Sequence, residues 1–379
     1  ELDSPDPFSS WETLVSICME ILDSCVSNGF AASHRTLLNV IAAMINFSGC
    51  TAFLKGMHTF YLENPVDAAR SISLILSTMV AGSSTEIRVA AASLIRQMLF
   101  DTECNKMLNS CNCVVYILET LTSLNSIVDE EVLSVPLLRS LCVLSSDANQ
   151  AKIIYSTIGV CLLADILLSK NEQMQIHAAG CLVNISALKQ WVGNVPSEDV
   201  VNACANLVAA VLDDSIPESY LVLLLRIVKN MCNAEILVPV IMLPVLRKLL
   251  VSFIATEEIS EVSACALAVI GSACRLETFL SSFVNLGAVP AALSSGNKAL
   301  TKLGFLQEHT EVETAESVKD MHLLMKALSG CLSLLYFCSL DIEMQDDLLG
   351  MGALVFWTGI MTLRSCPLNL LHVVVESLT

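Results

Sequence analysis

The segment His177-Ala-Ala-Gly-Cys-Leu-Val-Asn-Ile-Ser-Ala-Leu188 constrains the fold more than any other. Small residues at 178–180 admit a neighbouring backbone, while Leu182 and Ile185 supply apolar contacts one turn on. Only one polar side chain, Asn184, stands between those two. Variants of the phrase recur at Ala42-Ala43 with Asn46, at Ala90-Ala-Ala92 with Leu94, at Ala264–Ala273 and at Ser329–Leu335. A unit that recurs and cannot bury its own apolar face must stack on its neighbours.

The rest of the chain reads as helices and breaks. Ser9-Ser-Trp-Glu12 and Ser83-Ser-Thr-Glu86 have the capping-box pattern, and Val135-Pro136 introduces the helix pattern of Leu137–Leu144. Two segments match closely: Phe279–Asn285 leads into Gly287-Ala-Val-Pro290, and Met344–Gly350 leads into Gly352-Ala-Leu-Val355. Each puts a short amphipathic helix before a Gly-Ala step, after a helix rich in small residues.

Apolar residues make up 54% of the 379 and charged residues only 15%, an oily balance against typical values of about 45–50% and about 25%. Burial on several sides of a helix accommodates it, as does a partner covering part of the surface. The longest uncharged runs, Thr36–Leu54 and Thr278–Asn297, are interrupted by Asn, Gly and Pro. Both are expected to be helix–turn–helix segments, and no membrane insertion is expected. The chain opens at Glu1 and stops within an apolar helical pattern, as a piece of a larger protein would.

Of the sixteen Cys, Cys142, Cys181, Cys232, Cys265 and Cys331 lie in apolar helical patterns, where a thiol packs as a small hydrophobe. That suits a reducing setting, cytoplasmic or nuclear. Cys104, Cys111 and Cys113 cluster without a nearby His, a poor match to zinc spacing. No dinucleotide, phosphate-loop or nucleophile-elbow motif occurs, so neither catalysis nor a metal or cofactor is expected. The net charge of −18 opposes nucleic-acid binding through phosphates and suits a basic partner surface.

Taken together, these phrases resemble the armadillo repeat family, in which a three-helix unit ends in Ala-Ala-x-x-Leu-x-Asn-Leu-Ser and Gly-Ala-Ile-Pro opens the next. The resemblance implies an all-α fold, a right-handed α-α superhelix of about seven to eight repeats spanning 1–379 as one domain. Placing the family's Asn in each unit gives positions 46, 97, 143, 184, 230, 269 and 334, with spacings of 51, 46, 41, 46, 39 and 65; repeats of this kind run about 40–47 residues. The long last interval is expected to hold an acidic inserted loop, 304–320, ending at a cap Ser317-Val-Lys-Asp320.

The resemblance also implies a groove lined by third helices, where family members clamp extended peptides. Asn46, Asn184 and Asn230 match the clamp position and Gln97 is a plausible substitute, whereas Val143, Val269 and Leu334 depart from it. The alternative for each Asn is a local or inter-repeat hydrogen bond. Arg226 stands where the importin-like pattern has Trp. Of Trp11, Trp191 and Trp357, Trp191 lies nearest an inter-repeat turn, either as a binding anchor or packed in a gap. The expected function is a non-enzymatic protein-binding scaffold or adaptor. The alternative is a subunit of a cytoskeletal or centriolar-type assembly that self-associates through its apolar surface.

Overall fold

A computed structural model describes residues 7–27, 34–82, 84–124, 127, 130–188, 205–213, 215–233, 244–309, 315–363 and 366–378. Every regular element among the described residues is a helix. The chain divides into two compact units, residues 1–203 and 204–379.

The first unit opens with α1 (Pro7–Ser27) and α2 (His34–Ser48), followed by three helical triplets. These are α3 (Thr51–Glu63), α4 (Pro65–Ala81) and α5 (Thr85–Met98); then α6 (Thr102–Ser110), α7 (Cys113–Ser123) and α8 (Glu131–Leu144); then α9 (Ala148–Tyr155), α10 (Gly159–Ile166) and α11 (Glu172–Ser186). The third helices stack in series, α2 on α5, α5 on α8 and α8 on α11. Leu37, Ile41, Leu94, Ile95, Leu137, Leu141, Ala178 and Cys181 are fully or almost fully buried along that stack.

The second unit begins with helical residues 205–211 and continues through α12 (Glu218–Asn233), α13 (Pro244–Ile254) and α14 (Glu261–Ala273). It then runs through α15 (Glu277–Asn285), α16 (Ala288–His309) and α17 (Ala315–Ser339), and through α18 (Ile342–Gly350), α19 (Ala353–Met361) and α20 (Leu368–Leu378). Here α12, α14, α17 and α20 are the third helices, again packed in series. Where α14 meets α17, Gly271 and Gly330 lie at the contact. A Cβ on Gly330 would stand 2.7 Å from the Leu267 carbonyl carbon.

Local chemistry fixes the joints of each triplet. The Gly-Ala step works because Gly287 (φ 81°) and Gly352 (φ 88°) take the left-handed conformation that turns a first helix into a second. Asn112 (φ 57°) does the same between α6 and α7. At the entry to a first helix the device is an Asp cap. Asp101, Asp147 and Asp341 each accept from backbone N–H groups of α6, α9 and α18.

Several boundaries differ from the sequence expectation. Pro7 begins α1, so the Ser9–Glu12 pattern lies inside a helix. Ser84, not Ser83, caps α5 and accepts from Ile87 N. Helix α8 starts at Glu131 and carries Pro136 in its interior. The expected loop 304–320 is largely helical: α16 continues to His309 and α17 begins at Ala315, leaving 310–314 outside the described residues. Ser317–Asp320 is helix interior, not a cap. Gln307, Glu308 and Glu316 are strong helix formers, so acidity there does not break the helix.

The two uncharged runs do turn. The helices Arg35–Ser48 and Thr51–Glu63 meet at 112°, and Glu277–Asn285 and Ala288–Gly304 at 80°. By length and composition one described helix, Ser317–Ser339, meets the requirement for a membrane span, as would each bent pair if straightened. Half of that Ser317–Ser339 window is buried inside the fold, against α14, α16 and α20.

Candidate protein-binding groove

Within the second unit, α12, α14, α17 and the start of α20 frame a cleft of about 580 Å³. Its floor is made of small side chains: Ala268, Ser272, Ser329, Gly330 and Ser333. They are small for the same reason the helices are close, since Gly271 and Gly330 admit each other's backbones. Around that floor stand Lys229, Arg275, His322 and Lys326, with Met325 and Leu370 as apolar contacts. Among the described residues no Asp, Glu, Phe, Tyr or Trp lines the cleft.

Lys326 is tied down on its inner side. Its Nζ donates to Cys265 Sγ at 2.9 Å and lies 4.0 Å from Glu261 Oε1. Glu261 belongs first to Arg226, whose Nη2 is 2.6 Å away. Lys229 and Arg275 make no ion pair among the described residues.

The residues expected at the site are placed differently. Asn46 is exposed on α2. Gln97 is half-buried and its Oε1 accepts from the Ser48 hydroxyl on the preceding third helix. Asn184 Nδ2 donates to Ser145 Oγ at 2.9 Å and to the Cys142 carbonyl at 3.4 Å. Both Gln97 and Asn184 therefore join neighbouring repeats. Arg226 is exposed and paired with Glu261, and Asn230 is half-buried a turn further along α12. Trp191 lies outside the described residues.

None of these five described residues lines the cleft; the adjacent Lys229 does. Val269 and Leu334, aligned with the clamp position by spacing alone, are fully buried. The cleft positions on their helices are Ala268 and Gly330. A helix with small residues on several faces hides its own register, because no single stripe marks the buried side. The other tryptophans are packed: Trp11 stacks edge-on with Phe47 and Phe53, and Trp357 is buried.

In the first unit the third-helix seam carries two thiols and a histidine. The Cys181 thiol hydrogen-bonds Cys142, which lowers the pKa of Cys142 against the opposing effect of burial. Burial, then that same contact, pushes Cys181 well above the ordinary thiol value. Desolvation lowers the pKa of His177, and the nearby Arg139 charge lowers it further. The fifteen described cysteines are all free thiols, and no group of three or more His, Cys, Asp or Glu among the described residues is placed to hold a metal.

No protein-family model matches the sequence. No curated protein matches it either. Solved structures do. An engineered protein superposes over 100% of this chain and 96% of its own, with a TM-score of 0.61 at 15% identity. A chain from a structure of the interaction between cadherin and beta-catenin, and the phosphorylation switch controlling it, superposes over 99% of this chain and 66% of its own, with a TM-score of 0.62 at 14% identity. A designed armadillo repeat protein matches over 68% of this chain and 99% of its own, with a TM-score of 0.48 at 15% identity. At such identities the likeness is one of fold, and the fold of this chain is that of an all-α, armadillo-like helical-repeat solenoid.

Proposed function

We propose that the protein is a non-enzymatic repeat scaffold that holds an extended segment of another protein in the cleft across α12, α14, α17 and α20. The observation that carries this reading is the cleft itself: about 580 Å³, floored by small side chains and set on helices whose packing is fixed by glycine contacts. A rigid floor without bulky side chains lets a peptide backbone approach without first displacing anything, which lowers the ordering cost of binding. A structure devoted to the cadherin and beta-catenin interaction has a similar fold, and this supports a protein partner.

Selection from a library of random linear 12-residue peptides tests the reading. Binders to the wild-type chain should lose affinity by tenfold or more on Ser329→Trp, which fills the cleft floor. Thr301→Trp, exposed on α16 outside the cleft, should leave them unchanged. Selected peptides indifferent to Ser329→Trp would place binding elsewhere and defeat the proposal.

A second reading, self-association, draws on the exposed apolar side chains of the last triplet, with Ile342 81%, Val355 72% and Leu368 84% exposed. Light scattering over a concentration series separates the two. A mass that rises with concentration for wild type, and not for Val355→Asp/Leu368→Asp, supports self-association.

A further inference from the structure

We propose that the segment held in this cleft is acidic, its Asp and Glu carboxylates lying on Lys229, Arg275 and Lys326. The inference rests on the peptide-binding reading above and adds the chemistry of the partner. It reverses the expectation from net charge, which pointed to a basic one.

The −18 of the whole chain is a poor guide to the cleft. Among the described residues the Lys and Arg that line it face no lining carboxylate, and His322 adds a further group that charges only positively. Among the described residues Glu261 is the carboxylate that pairs with a lining cation, and it is held at 2.6 Å by Arg226 while standing 4.0 Å from Lys326. Arg275 also borders a neighbouring pocket lined by Glu277, Asp341 and Glu343, yet makes no ion pair with them. A cleft of one sign focuses the field of its charges on whatever enters it. A basic segment would be repelled, and with no Trp, Tyr or Phe among the described lining residues its side chains would lack the usual cation–π partners.

The cations arise on or just past successive third helices: Lys229 on α12, Arg275 two residues beyond the end of α14, and Lys326 on α17. Packed helices stand about 8–10 Å apart and an extended chain advances about 3.3 Å per residue. Acidic side chains spaced about three residues apart therefore match one helix each. A polynucleotide satisfies the same cations but runs on over a body of net charge −18, with phosphates it cannot space. A short acidic peptide places its charge only where the cleft is positive.

The library selection supplies the test when its binders are sequenced and then measured by fluorescence anisotropy on the full chain. Ser329→Trp-sensitive binders should be enriched in Asp and Glu over the input library. Their affinity should fall about tenfold or more on Lys229→Glu/Arg275→Glu, and with added salt. Lys248→Glu/Lys302→Glu makes the same change in net charge on exposed residues outside the cleft and should change affinity less than twofold. Circular dichroism confirms that each variant keeps its helices, and Lys229→Gln/Arg275→Gln provides a milder variant if the reversal unfolds the chain. Ser329→Trp-sensitive binders that are neutral or basic, or that are unaffected by the Lys229/Arg275 changes, would overturn the acidic assignment and leave peptide binding standing. A 12-nucleotide single-stranded DNA that binds more tightly than the acidic peptides, and is displaced by Lys229→Glu/Arg275→Glu, would overturn it as well. No Ser329→Trp-sensitive binder at all would remove both.

Discussion

Asn184 Nδ2 donates to Ser145 Oγ at 2.9 Å, joining α11 to the third helix of the preceding repeat. The Ser145 hydroxyl in turn donates to the Cys142 carbonyl at 2.8 Å, and Asn184 also reaches that carbonyl at 3.4 Å. Both hydrogens of the amide are therefore directed within the scaffold. Asn184→Ala should cost about 1 kcal/mol of stability, the usual net worth of a hydrogen bond, read as a lower urea midpoint at unchanged slope. Peptide binding at the second-unit cleft should not change.

The architecture was legible because its causes are local. Ala178–Gly180 and its echoes mark the third helices, and Gly287 and Gly352 mark the turns between first and second helices. The caps at Asp101, Asp147 and Asp341 each follow a third helix by a few residues, but the small-residue phrases do not mark them. The site was not legible for two physical reasons. Small residues on several faces of α14 and α17 conceal which one fronts the cleft, so Val269 and Leu334 were aligned where Ala268 and Gly330 stand. The charge of the cleft is assembled from Lys229, Arg275 and Lys326, three positions with no common motif, and the −18 total points the opposite way.

The seam between α14 and α17 should be intolerant of a single methyl group. A Cβ at Gly330 would lie 2.7 Å from the Leu267 carbonyl carbon and 2.8 Å from Ala268 N, both backbone atoms that cannot rotate aside. Gly330→Ala should destabilise by about 1–3 kcal/mol, as overpacking does. Gly304, within α16, has nothing within 4 Å of its would-be Cβ, so Gly304→Ala should be neutral or stabilising by up to about 1 kcal/mol. Thermal melts of the two variants beside wild type check the contrast in sign.

Thiol reactivity should divide between neighbours on the first-unit seam. Cys142 is half-buried with its pKa lowered by the hydrogen bond from Cys181, while Cys181 is fully buried with its pKa raised well above the ordinary value. The thiolate is the species that alkylates. Brief iodoacetamide treatment of the folded protein near pH 7.5 should label Cys142 and spare Cys181, as read by peptide mass spectrometry. Removing the donor with Cys181→Ala should slow Cys142 labelling. Equal labelling of both thiols in the folded state would contradict the geometry.

His177 should make the first unit less stable in mild acid. Its folded pKa lies below the ordinary 6.5, because burial and then the Arg139 charge disfavour the imidazolium. Between those two values the unfolded chain binds a proton that the folded chain resists, so unfolding gains from falling pH. The contribution of His177 to stability is thus intact above about pH 6.5 and is lost progressively as pH falls through 6.5 towards the depressed folded value. His177→Gln cannot take up that proton. Its melting temperature should therefore decline less than that of wild type between pH 7.5 and 5.5, with carboxylate titrations common to both. Arg139→Gln, which removes the neighbouring charge but leaves the burial, should fall between the two. Parallel curves for wild type and His177→Gln across that range would show that His177 titrates alike in the folded and unfolded chains.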